Sequence, residues 1–411
     1  MSTRSVSSNG SKKIENDKQW AIFMGDLSRL REVISNKKQS ERHSILWKCL
    51  GGIDAAVRGV GQVVFANNPV SGLLIIITLG FTSPNVLLFG STTGFLGLVI
   101  SYLIQDPGSS IENGLTVYNP LLIGIVTSSI FPTECSSWDR LTMLMMFSGT
   151  IFSVILARAN GKGRFPVITF PFNVIETMIL IILTIHHRRE PTPEGMIDAV
   201  SHFNCQSNET LITESMINTD IESICKTIHI NSTYVIDWGM VFRGIVTSSS
   251  QVFAVDNVIA GTIIYLAILI YSPTTALFSL IGAIIGSLSA LGLGVPHESV
   301  YSGLWGYNSL LLSCSFGGIF LVLNTQTTLL AFIAAIFTVL LQYTLNFFFL
   351  KMSLSVLTIP FVATCYLFIS VRDVMDPVFP EPMIVTFPEK HRAQFQRIRR
   401  SYDENESPQS V

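Results

Sequence analysis

Between about residue 45 and residue 370 the chain is a succession of long apolar stretches broken by short polar links. Only the two ends and one central segment are polar throughout. The apolar runs are Gly72–Phe81 continuing through Val86–Ile104, then Leu141–Ala157, Val174–Ile185, Ile259–Ile270, Leu277–Leu293, Leu329–Phe349 and Ser355–Ser370. They lack the two-residue alternation of strands and are hydrophobic on every face, as helices surrounded by lipid are. Window counting predicts about ten spans across a roughly 30 Å hydrocarbon core. The expected fold class is an all-α integral membrane protein. Its expected organisation is an N-terminal tail (1–43), a first membrane unit (44–187), a linker loop (188–232), a second membrane unit (233–376) and a C-terminal tail (377–411).

The polar positions inside this pattern occur twice. "VITFPFNV" at 167–174 returns as "VLTIPFVA" at 356–363, placing Thr358 over Thr169, Pro360 over Pro171 and Phe361 over Phe172 at an offset of 189 residues. At the same offset "GQVVFANNPVSG" (61–72) lies over "SQVFAVDNVIAG" (250–261), pairing Gln62 with Gln251, Val63 with Val252 and Asn68 with Asn257. "GLTVYNPLLIG" (114–124) likewise lies over "GLWGYNSLLLS" (303–313), pairing Tyr118, Asn119, Leu121 and Leu122 with Tyr307, Asn308, Leu310 and Leu311. Unrelated oily helices would match Leu with Val at drifting offsets, so one gapless register for Gln, Asn, Tyr, Thr and Pro marks an internal duplication. Each half holds about five spans, and an odd number of crossings turns the second half upside down relative to the first. The segments after "QDPGSSIENG" and "GVPHESVYSG" are too short to cross alone. They read as re-entrant pore half-helices, which are tolerated only where they line a cavity or are buried in protein.

Composition and charge refine this picture. The chain has 411 residues, of which 48% are hydrophobic and 13% charged, half the charged share usual for soluble domains. A net charge of −2 argues against a nucleic-acid partner. Basic residues gather in both tails and in "ARANGKGRF" (157–165), which the positive-inside rule assigns to the cytoplasm, with the chain in a plasma membrane. The central loop carries two sequons, at Asn208 and Asn231, and a candidate disulfide pair, Cys205 and Cys225, all suited to an extracellular face. Cys49, Cys314 and Cys365 lie in or beside apolar runs and read as packing residues.

Few ionisable residues fall within spans: Asp54, Arg58, Glu176, Arg243 and Asp256. Asp54 and Arg58 are four apart and could neutralise each other on a helix. No Asp/Glu/His chain threads the repeats, as a proton relay requires. The duplicated polar groups are neutral, which suits a neutral, hydrogen-bonding solute. Stripping water from such a solute costs several kcal/mol unless replacement partners wait. Gln62 and Gln251 suit the two mouths, Thr169 and Thr358 the centre, and Val63, Val252, Leu122 and Leu311 the greasy walls. An ion-coupled secondary transporter, or a channel for another small neutral or ammonium-like solute, is the alternative. A membrane enzyme fits poorly, because "HESVY" at 297–301 has Tyr301 where a zinc-protease motif needs its second His. No cofactor is called for.

In "QVVFANNPVSG", "GLTVYNPLLIG", "TFPFN", "GLWGYNS", "TIPF" and "VTFPEKHR" the sequence resembles the urea transporter family, over roughly residues 45–390. The resemblance implies a passive, channel-like facilitator with ten spanning helices and two pore half-helices, assembled as a homotrimer with one pore per subunit. It places mouth residues at Gln62, Val63, Phe65 and Leu122 in the first half and at Gln251, Val252 and Leu311 in the second. Its constriction falls on Thr169 and Thr358, and its oxygen ladder on Tyr118–Gly124 and Tyr307–Ser313. Three positions depart from the doubled pattern: Ala254 opposite Phe65, Val258 opposite Pro69, and Ser313 opposite Gly124.

Overall fold

The structure is a computed structural model that describes residues 24–38, 44–130, 140–163, 165–189, 236–372 and 378–406. Both sequons, Cys205 and Cys225 lie outside the described residues. In chain order the helices are α1 (Ser28–Lys38), α2 (Ser44–Gln62), α3 (Pro69–Thr82), α4 (Pro84–Leu103), α5 (Gly108–Glu112), α6 (Tyr118–Ile130), α7 (Arg140–Asn160) and α8 (Phe170–Arg189). They continue with α9 (Trp238–Gln251), α10 (Val258–Tyr271), α11 (Pro273–Gly292), α12 (His297–Tyr301), α13 (Tyr307–Phe316), α14 (Thr325–Lys351), α15 (Ile359–Ile369) and α16 (Pro388–Glu406).

The two halves repeat in structure at the offset read from the sequence. α3 and α10, α4 and α11, and α5 and α12 begin and end at equivalent residues, while α6 and α13, and α8 and α15, begin at equivalent residues. The causes of the helix ends repeat as well. Asn68 caps α3 by accepting from Val70 N and Ser71 N, and Asn257 caps α10 by accepting from Ala260 N. Val258 therefore begins its helix where Pro69 begins α3, although the proline is missing. Ser83 and Ser272 then break the apolar stretch, each followed by a proline at the first helical position, where a missing N–H costs little. The continuous run expected from residue 72 to 104 is consequently two helices.

Among the described residues four helices are long and apolar enough to cross a membrane: Pro84–Leu103, Arg140–Asn160, Pro273–Gly292 and Thr325–Lys351. Five more, at Pro69–Thr82, Tyr118–Ile130, Phe170–His186, Val258–Tyr271 and Ile359–Ile369, are apolar but shorter. A helix of 14 residues such as α3 rises about 21 Å, less than the hydrocarbon thickness. Large apolar side chains such as Phe81, Phe95 and Phe347 face outward, as they do when lipid is the solvent. Cys314 and Cys365 are buried as expected of packing residues, but Cys49 is exposed on α2.

Within each half the same partners pack: α2 on α3 and α9 on α10, α4 on α6 and α11 on α13. Between halves, counterparts meet each other, α3 against α10 and α8 against α15. Close approaches are made by exchanging small and large residues between equivalent positions. A Cβ on Gly59 would lie 2.4 Å from Val117 Cβ, and in the second half Ser248 faces Gly306 instead. The departure at Ser313 has the same logic. Gly124 faces Thr93, whereas Ser313 faces Gly282, so the extra hydroxyl occupies space its own half leaves open. The C-terminal segment folds back over the bundle. Val322 N donates to Pro380 O, Tyr271 Oη donates to Thr386 O, and the Glu389 carboxylate accepts from Ser272 Oγ and Thr274 N at the start of α11.

Candidate permeation site

The site begins with two strained residues. Ile168 and Leu357, equivalent positions immediately before the paired threonines, have φ of +36° and +51°. For a β-branched residue such as Ile168 this region is unfavourable, and it persists only where surrounding bonds impose it. Those bonds come from the Tyr-Asn pair that opens each half-helix. Tyr118 Oη donates to Ile168 O at 2.8 Å and Asn119 Nδ2 donates to the same carbonyl at 3.1 Å. In the second half Tyr307 Oη and Asn308 Nδ2 both donate to Leu357 O. Asn119 also accepts from Phe172 N at 3.3 Å, tying α6 to the first turn of α8. The duplicated Tyr, Asn and Thr-x-Pro-Phe are thus one device, in which the half-helix holds the backbone that presents a threonine. The tyrosine and asparagine, expected to join an oxygen ladder, commit their donors to this backbone.

The two threonines so presented touch each other. Thr169 Oγ1 and Thr358 Oγ1 are 2.8 Å apart, each 6% exposed, and the contact joins the N-termini of α8 and α15. Asn173, one turn into α8, stands beside them and accepts from both the N and the Oγ1 of Thr358 at 3.0 Å.

A cavity of about 590 Å³ reaches Thr169 from outside. Gln62, Val63, Phe65, Tyr118, Asn119, Thr169 and Leu311 line it, and Asp106, Arg158 and Lys162 contribute charge to its wall. Phe65, at φ +61°, presents its ring edge-on to Phe320 and Phe361, with ring centres 5.8 and 6.0 Å away. Phe320 and Phe361 line the cavity with Phe65, so part of its wall is aromatic. Gln62 Nε2 donates to Asn113 O at 3.0 Å, and Gln251 Nε2 donates to Ser302 O at 2.8 Å. Each glutamine is pinned through its nitrogen, which leaves its carbonyl oxygen as the group available to a solute. Leu121, Leu122, Gln251, Val252, Tyr307, Asn308, Leu310 and Thr358 do not line this cavity. Thr358 meets it through Thr169. Leu122, Val252, Leu310 and Leu311 are packed into the core around the site.

The ionisable groups within the bundle are tied locally. Arg58 Nε bonds Asp54 Oδ2 at 2.7 Å, as their spacing predicts, and Arg58 Nη1 reaches Asp26 O at 2.7 Å. Arg243 pairs with Asp256 at 2.7 Å. Glu176, fully buried, accepts from Thr127 Oγ1 at 2.9 Å.

Sequence comparison names the family to which a chain with these doubled, neutral, hydrogen-bonding residues belongs. The sequence model described as Urea transporter matches residues 53–373. The chain belongs to the urea transporter family. It is similar to Urea transporter 1 of Ovis aries, 29% identical over 383 residues, covering 91% of this chain and 89% of the relative. It is also similar to Urea transporter 1 of Mus musculus, 30% identical over 293 residues, covering 70% and 68%. As a urea transporter family member with this series of apolar helices it is a multi-pass membrane protein, not an enzyme.

Sequence reasoning missed Asn173 as a site residue, although it stands inside the doubled motif as the last letter of "TFPFN". It has Val362 as counterpart, and attention to identical pairs passed over it. Val385 and Thr386 of "VTFPEKHR" also line the cavity, a placement nothing in their local pattern signals.

Proposed function

We propose that the chain carries urea passively across the membrane, through a narrow path that enters past Gln62, Val63 and Phe65 and is constricted at Thr169 and Thr358. The observation that carries this reading is the 2.8 Å contact between the two threonines at the inner end of an aromatic-walled cavity. The aromatic wall of Phe65, Phe320 and Phe361 suits an uncharged solute, and the oxygens of Gln62 and Thr169 suit its N–H groups. Around the threonines the walls carry the apolar Ile168, Leu311, Phe320 and Phe361, which leave a hydrated ion without replacements for its water shell. The arginines Arg58 and Arg243 are each paired with a carboxylate, which supports transport without ion coupling.

In this reading Gln251, Val252 and Leu310 form the opposite mouth, Leu311 belongs with Gln62, Val63 and Phe65 in the first cavity, and the two halves (44–187 and 233–376) are inverted repeats. Their meeting of counterpart with counterpart at α3/α10 and α8/α15 supports a pseudo-two-fold relation. Leu121 and Leu122 wall the first half as Leu310 and Leu311 wall the second. The protein acts in the plasma membrane as a homotrimer with both tails cytoplasmic. The linker loop is extracellular, with Asn208 and Asn231 glycosylated and Cys205 joined to Cys225. Protein reconstituted into liposomes tests the transport claim by stopped-flow light scattering. Urea equilibration is expected to accelerate well beyond protein-free vesicles, at one rate with or without Na⁺ and pH gradients. A rate that needs either gradient would favour a coupled transporter.

A further inference from the structure

The waist has a direction that the repeat does not. Asn173 is 4% exposed, and its Oδ1 accepts twice from Thr358, from N and from Oγ1, both at 3.0 Å. A backbone N–H can only donate, so the amide oxygen and not its nitrogen must face Thr358. An amide oxygen cannot donate, so the one hydroxyl proton of Thr358 is spent on Asn173. The 2.8 Å contact between the threonines then takes its proton from Thr169. The order of donation runs from Thr169 to Thr358 to Asn173. Thr169 is the member of this chain that lines the cavity, and it is left with lone pairs only. The counterpart of Asn173 is Val362, so nothing in the second half opposes this order. The amide nitrogen of Asn173 is buried without a hydrogen-bond partner among the described residues, so its bonding at the waist is through the oxygen.

We infer that Asn173 is a specificity-determining positioning residue: it sets the hydroxyl order at the waist so that a passing solute meets a hydrogen-bond acceptor and never a donor. The solute class this selects is a small planar molecule with N–H donors at its edges. The inference rests on the urea-conducting reading above and adds the residue that tunes it. Without Asn173, the buried Thr358 hydroxyl has Thr169 as its remaining acceptor. The order reverses, and the Thr169 proton then faces the N–H groups of the solute.

The test measures urea and water permeability of the same proteoliposomes, because water accepts either order and urea at the waist does not. Asn173→Val, which copies the second half, is expected to lower the urea-to-water ratio about tenfold, the equivalent of one hydrogen bond. The exchanged pair Asn173→Val with Val362→Asn returns an acceptor from the opposite side and is expected to recover the ratio. Asn173→Asp keeps an oxygen at the same place and is expected to hold the ratio within about twofold of the parent. Urea and water falling together in Asn173→Val would make the residue structural and overturn the inference. A tenfold fall in Asn173→Asp would overturn it too, and that comparison stands if the valine variant does not fold. Parent protein without urea flux would instead remove the underlying transport reading, so the two failures are distinct.

Discussion

Removing one threonine hydroxyl at the waist should not be equivalent to removing the other. Thr169→Val deletes a donor to Thr358 and leaves Thr358 bonded to Asn173. Thr358→Val deletes two links at once: Thr169 loses the acceptor for its proton and Asn173 Oδ1 loses one of its two donors. A buried hydrogen bond contributes about 1 kcal/mol net, while leaving a buried polar group unpaired costs about 1–3 kcal/mol. Thr169→Val should therefore destabilise by about 1 kcal/mol and Thr358→Val by about 2–3 kcal/mol, with a lower melting temperature for the latter in detergent. Urea flux responds differently. Thr169 lines the cavity, so its loss removes an acceptor from the path directly. If the solute's bond there is worth about 1.4 kcal/mol, flux through Thr169→Val should fall about tenfold. Thr358→Val acts through Thr169, whose freed proton then faces the solute, and should slow flux by a comparable factor. Thermal unfolding and stopped-flow flux on the two variants give both orders. Equal melting temperatures, or a double variant with parental flux, would refute the hydrogen-bond chain as the waist.

Other features give sharper tests of parts of the account. His391 is buried, with Nδ1 donating to Gly318 O and Nε2 accepting from Thr386 N, each at 2.7 Å, so only its neutral form satisfies both partners. Burial lowers its pKa from the usual 6.5, with Glu389 and Lys390 as the adjacent charges. Its contribution is complete above the usual value and is lost as pH falls below it toward the depressed one. Protection factors across residues 378–391, corrected for the pH dependence of intrinsic exchange, should therefore fall as pH is lowered below about 6.5 while α11 stays protected; pH-independent protection would contradict this. Gly59→Ser places a Cβ 2.4 Å from Val117 Cβ and should destabilise by about 1–3 kcal/mol, with Val117→Gly, which copies Gly306 opposite Ser248, relieving part of the loss; an unchanged melting temperature would show the contact yields. Gln62→Leu removes the mouth oxygen and the bond to Asn113 O, and should slow urea several-fold by the same flux assay.

Much of this was legible in the sequence because duplication doubles every signal. A lone Tyr-Asn or Thr-x-Pro-Phe has many explanations, whereas each motif recurring at one offset has few. The positions so marked proved to be bonded to each other: Tyr118 and Asn119 to the backbone before Thr169, Tyr307 and Asn308 to the backbone before Thr358. What the sequence left unread is which hydrogen bonds these groups already make, because it shows that a polar group is present but not what has claimed its donors. Helix ends were less legible than helix positions: α3, α10 and α15 start after Asn68, Asn257 and Thr358, and α3 and α10 stop at the Ser-Pro breaks, signals weaker than the apolar runs between them. Asymmetry was the least visible feature. Asn173 facing Val362, and Glu176 held by Thr127 where the second half has Cys365 and Phe316, are mismatches in the repeat and so carry no doubled signal.

The claim at the centre is that urea crosses by diffusion through a constriction, driven by nothing but its own gradient. The most direct measurement is the steady-state ratio of labelled urea inside and outside proteoliposomes under an imposed Na⁺ gradient, pH gradient and membrane voltage, each in turn. The account predicts a ratio of one in every case, reached faster than in protein-free vesicles and slowed by Thr169→Val. A ratio sustained above one under any of the three would contradict it.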